Sequence, residues 1–153
     1  MRRLLDLLYR VQKRMWRIFR PRTRGVKVML IDRDGAILLI RNNYGRSDLW
    51  VLPGGGIRPF EAPEAAAGRE VREELGCGLR GLSLRATLFS GAEGKRDTVF
   101  LFAAEAVGDP APASLEVAEA GWFALDTLPQ ATSPATRRRI DEHFGRRAAD
   151  GRW

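Results

Sequence analysis

Cysteine occurs once in this 153-residue chain, at Cys77, and histidine once, at His143. A single cysteine excludes an internal disulfide, and without a Cys or His cluster none of the usual zinc-ligand spacings exists. A reducing, cytoplasmic setting is the expectation. Long apolar runs are missing too. The longest uncharged apolar stretches, residues 28–31 and 36–40, fall far short of the ~18 residues that cross a bilayer, and they read as strands. A soluble protein is expected. No Ser-His or Cys-His pairing points to a covalent nucleophile, so Cys77 reads as a small buried hydrophobe and His143 as a surface residue. There are no repeats and no dividing linker, and this length suits one compact domain.

Charge is present in excess but in one place. Residues 1–25 carry nine basic side chains against Asp6 alone, so of the formal +7 the remaining residues sum to −1. A basic stripe across the fold would point to nucleic acid; a neutral domain with a basic leader does not. That leader, "MRRLLDLLYRVQKRMWRIFRPRTRG", places Leu4, Leu8, Val11, Met15 and Ile18 at helical spacing and meets Pro21. Residues 1–24 therefore read as a basic amphipathic helix. Its apolar stripe suits packing on the domain or on a second copy of the chain, and its Arg, Trp and Phe content suits an anionic membrane surface. Both readings stay open, with nucleic-acid contact or an Arg-rich targeting peptide as the lesser alternatives. Charges interrupt the apolar stretch too early for a cleaved secretory signal.

From Gly25 the pattern changes. "GVKVMLI" and "AILLIR" are β-rich runs around "DRDG", which predicts a hairpin. "LWVL", "GLSLRATLFSG", "DTVFLFAAEAV" and "EVAEAGWFAL" supply further strands. Pro63 and Gly76 bracket a helix over 63–75; Ser133, Pro134 and Gly145 bracket another reaching about Phe144. Residues 146–153 show no pattern and read as a frayed tail. The result is an α+β domain over 25–145 with two helices of its own.

Between the third strand and the first of these helices lies "GGGIRPFEAPEAAAGREVREELGC". At 100° per residue Glu70, Glu73 and Glu74 fall within about 100° of arc, while Val71 and Leu75 face away from them. Three carboxylates on one face repel, and Arg69 and Arg72 offset this only partly. A solvated charged face is one reading. A divalent cation is the other, since Mg²⁺ takes carboxylate oxygen, water and substrate phosphate. Gly54, Gly55 and Gly56 lack Cβ atoms, so their backbone can approach a metal or phosphate; alone they would read as a tight turn.

Gly55, Glu61, then Arg69-Glu70-Val71-Arg72-Glu73-Glu74-Leu75-Gly76-Cys77 resembles the Nudix box of the Nudix hydrolases at every fixed position. Trp50, "LPGGG" and "EVAEAGWFALDTLP" extend the resemblance over roughly residues 25–145. It implies an α/β/α sandwich around a mixed sheet, binding Mg²⁺ or Mn²⁺ and hydrolysing a nucleoside diphosphate linked to another group. Carried over position by position, it implies metal ligation by Glu73, Glu74 and the Gly55 carbonyl, with Glu70 a further ligand or the base. Arg69 would orient a glutamate, Glu61 would support the helix start, and Gly54 and Gly56 would border the substrate. A late glutamate is expected as well, with Glu119 favoured over Glu116.

Some positions depart from the family pattern. Ala62 stands where Thr or Ser often caps the helix, and Arg58 and Phe60 replace a common Glu and Gly. The proline that follows the box in ADP-ribose pyrophosphatases and the late tyrosine of diadenosine polyphosphate hydrolases are both absent. Nucleoside triphosphates, nucleotide sugars and other diphosphates stay open as substrates. The alternative function is a Nudix fold kept as a non-catalytic nucleotide-binding module, against which the intact glutamate set argues.

Overall fold

A computed structural model describes residues 22–91 and 96–153. The N-terminal helix expected over 1–24 lies outside these residues, except that Arg22 to Arg24 open a strand. The described residues form β1 (Arg22–Leu30), β2 (Ile37–Asn42), β3 (Trp50–Val51), α1 (Pro63–Leu75), β4 (Gly78–Ser90), β5 (Arg96–Val107), β6 (Val117–Phe123) and α2 (Pro134–His143). One sheet has the order β1-β5-β4, with β1 parallel and β4 antiparallel to β5; the other, β3-β2-β6, is antiparallel.

Side-chain alternation builds the layers. Val26, Val28, Leu30, Leu38 and Ile40 turn toward Ala66, Ala67, Val71 and Leu75 of α1. Met29, Ile37 and Leu39 turn the other way, toward Leu52 and Ile140 of α2. Each large side chain fully buried this way contributes roughly 1.5 to 3 kcal/mol. The sheets thus lie between the two helices in an α/β/α sandwich. Cys77 is buried in the α1-side core, and burial pushes its thiol up. Among the described residues no helix is long and apolar enough to cross a membrane.

Three expectations need correction. The "DRDG" turn forms, with Asp32 Oδ1 accepting from the Asp34 and Ala36 amides at 2.9 and 2.8 Å. The strands it joins share only the Ile31–Ile37 bridge before entering different sheets. A strand buried on both faces suits a parallel partner inside a layered fold, and β1 takes β5. The tail at 146–153 is held, not frayed. Phe89 N–H donates to Gly151 O (3.1 Å), Trp153 N–H donates to Phe89 O (3.0 Å), and Arg139, fully buried, donates to Asp150 Oδ1 (2.9 Å) and to the Arg152 carbonyl. His143 is half-buried, with an unpartnered Nδ1, and burial lowers its pKa.

Both helix ends follow local chemistry. Ser133 Oγ caps α2 by accepting from the Thr136 amide (3.2 Å). Ala62, at the α1 N-cap, offers no such bond, while Gly76 ends α1 at φ 67° with its N–H on Arg72 O.

Candidate active site

The glycine loop runs along β1. Val26 and Val28 amides donate to Gly55 O and Pro53 O at 2.9 and 3.0 Å, and the Ile57 amide donates to Arg24 O at 2.9 Å. Gly54 holds φ 135°, where a Cβ would come within 2.2 Å of Val26 O; a Cβ on Gly55 would meet the Glu70 carboxylate at 2.6 Å. Only glycine fits at Gly54, while a side chain at Gly55 would displace the Glu70 carboxylate. Gly56 has open space around its Cα. The close approach presses the loop against the acidic face of α1. Gly54 N–H donates to Glu74 Oε2 at 2.8 Å.

Arg69 organises the carboxylates. Its guanidinium forks onto Glu61 (2.7 and 2.9 Å), reaches Glu70 Oε1 (2.6 Å) and Glu73 Oε2 (3.2 Å), and donates to Gly56 O (2.9 Å). Such bidentate, charge-assisted bonds fix geometry as well as charge. They hold Glu61 at about 2, helped by the Arg58 amide, and push Arg69 further up. Glu73 is half-exposed and also meets Arg58 at 3.2 Å. Glu74 is buried, and desolvation pushes its carboxyl up to about 7; Glu70 and Glu116 add to this, while Lys27 and the Gly54 amide oppose it.

The late glutamates separate. Glu116 lies near enough to act on Glu74. Glu119 sits across from Arg41 on the β2–β6 surface and is ion-paired with it, and Arg41 in turn lies over the Trp50 ring at 5.8 Å.

Beside the glycine loop opens a cleft of about 670 Å³, lined further by Arg24, Lys27, Arg58, Phe60, Asp97 and Trp153. Three cations face one carboxylate among these, which suits an anionic ligand. Lys27 Nζ also donates to Leu52 O at 2.9 Å. The sequence made the glycine loop legible, and a lysine within the apolar run "GVKVMLI" is the signal that could have pointed to Lys27. Trp153, in a segment without pattern, gave none.

Among the described residues no three His, Cys, Asp or Glu side chains converge as a ready-made metal cage. Arg69 spreads Glu61, Glu70 and Glu73 around itself. Mg²⁺ needs only one or two protein carboxylates, its other ligands being water and phosphate oxygen. The all-oxygen donors of Glu70, Glu73, Glu74 and the Gly55 carbonyl, which keeps a second lone pair beside its bond to Val26, meet that chemistry.

Comparison with known proteins matches this arrangement to a family. The NUDIX domain model covers residues 21–144. An NAD-capped RNA hydrolase NudC from Deinococcus radiodurans is 37% identical over 130 residues, 80% of this chain and 45% of that protein, so the chain spans less than half of that relative's length. The crystal structure of a MutT NUDIX hydrolase from Burkholderia pseudomallei superposes with a TM-score of 0.71 at 34% identity, covering 78% of this chain and 96% of that one. A MutT protein from Methanosarcina mazei gives 0.67 at 25% identity over 84% and 96%. The chain belongs to the Nudix hydrolase family.

Proposed function

We propose that this protein hydrolyses the pyrophosphate linkage of a nucleoside diphosphate joined to a further group, dependent on Mg²⁺ or Mn²⁺. The observation that carries this reading is the locking of the glycine loop onto the acidic helix, through the Gly54–Glu74 bond and the Gly55–Glu70 contact, at the edge of a cationic cleft. The relative named for NAD-capped RNA supports a substrate with a group beyond the diphosphate.

Glu73, Glu74 and the Gly55 carbonyl would hold the cation, and Glu116, whose charge acts on Glu74, is preferred to Glu119 as the late carboxylate. A bound divalent cation neutralises charge on the pyrophosphate oxygens and lowers the pKa of water. Arg69 keeps Glu70 and Glu73 in place, and Gly54 and Gly56 let backbone approach a phosphate. Glu70, whose carboxylate lies against Gly55 beside the cleft, takes the proton from the attacking water. Arg24, Lys27 and Arg58 draw the anionic substrate in.

The test is a panel of nucleoside triphosphates, nucleotide sugars and dinucleotides, assayed with Mg²⁺ or EDTA in ¹⁸O-labelled water. Expected is release of a phosphate-containing product that carries ¹⁸O, in Mg²⁺ only. Turnover that persists in EDTA, or label absent from phosphate, would refute the reading.

A further inference from the structure

Two aromatic side chains border the cleft; packing accounts for none of Phe60 and for only part of Trp153. Phe60 is fully exposed and holds φ 63°, a left-handed conformation in which a bulky side chain is strained and glycine is not. A residue kept in such a place with no core contact is a candidate for ligand contact. Trp153 rests part of its indole on the cluster containing Met29, Val99 and Leu101 and leaves the rest exposed beside the cleft. Its position is built rather than incidental. The segment is added to the edge of β4 by the Phe89 bonds, and the buried guanidinium of Arg139 grips Asp150 and the Arg152 carbonyl.

The cleft volume of about 670 Å³ lies within the range of small-ligand sites. It combines the glycine loop and three cations with two aromatic surfaces. That polarity matches a nucleotide: phosphates toward the loop, a flat base toward the rings. We infer that Trp153 and Phe60 bind the nucleobase of the substrate by stacking. The inference rests on the function proposed above and deepens it, because stacking on a π-face selects for a base without reading its identity.

The test uses the full chain and probes that cannot be hydrolysed. Adenosine, guanosine and uridine α,β-methylene diphosphates are compared with methylenediphosphonate, which carries no base, by calorimetric titration in Mg²⁺. At least one nucleotide is expected to bind more tightly than methylenediphosphonate. Trp153→Ala should weaken that nucleotide roughly 5- to 150-fold, the span of one base–aromatic stack, and leave methylenediphosphonate unchanged. Trp153→Phe should restore most of the loss. Phe60→Gly should weaken the nucleotide likewise while the melting temperature holds or rises, since the substitution relieves strain. Equal binding of base-bearing and base-free probes by the wild type, nucleotide affinity unchanged in Trp153→Ala and Phe60→Gly, or equal weakening of both probes would each overturn the inference. Any of these together with metal-dependent hydrolysis leaves the catalytic reading standing; absence of hydrolysis in the wild type defeats that reading itself.

Discussion

Folding carries the Glu74 carboxyl from water into a buried place behind the glycine loop, and its pKa rises from the ordinary 4.5 to about 7. A shift of that size corresponds to a penalty on the order of 3 kcal/mol for the charged form. The native state therefore binds more protons than the unfolded chain between these values, and stability is lost as pH rises through that window. The facing groups, Lys27, Glu70 and Glu116, set the balance. Glu74→Gln keeps an acceptor for the Gly54 amide and removes the charge. Metal-free variant is expected to melt several degrees above wild type at pH 8, with the gap closing below pH 4.5. Adding Mg²⁺ should raise the wild type more than the variant. A lower melting point for the variant at pH 8 in EDTA would contradict the assignment of burial as the cause. This residue was legible as a member of an acidic face from helical geometry alone. Its burial was not, because that depends on the loop folding over it.

Among the elements, α1 has an N-cap geometry at Ala62 (φ −72°, ψ 146°) with no side-chain bond to offer. Ala62→Ser supplies an oxygen for an N-terminal amide, and is expected to stabilise the protein by about 1 kcal/mol with turnover unchanged. Chemical denaturation of both proteins measures this, and a loss of stability would show that the helix entry is held in another way. The bounds of α1 and α2 could be read from Pro63, Gly76, Ser133 and Pro134 because caps act within a turn of the chain. The partner of β1 could not, since β5 lies far along the sequence and "DRDG" is equally compatible with a hairpin and with a turn between sheets. The held tail is a similar case: a single buried arginine, Arg139, and edge pairing with Phe89 fix residues that show no periodicity.

At the scale of the molecule, the charge is concentrated in residues 1–25, which sum to +8 while the rest of the chain sums to −1, giving the formal +7. Every residue placed in the proposed site lies beyond Pro21, so deleting residues 1–20 is expected to leave turnover on a soluble substrate intact. Co-sedimentation with anionic vesicles that disappears on deletion identifies a membrane-attaching segment; a melting temperature that falls by several degrees identifies a packed one. Loss of turnover without loss of fold would place the segment in the site. The central claim is that the acidic face of α1 performs divalent-cation chemistry on a pyrophosphate. Its most direct measurement is turnover of Glu73→Gln and Glu74→Gln beside wild type in saturating Mg²⁺, each protein checked for folding by thermal melting. The account predicts a fall of orders of magnitude in both variants with the fold retained, and near-normal turnover in both would contradict it.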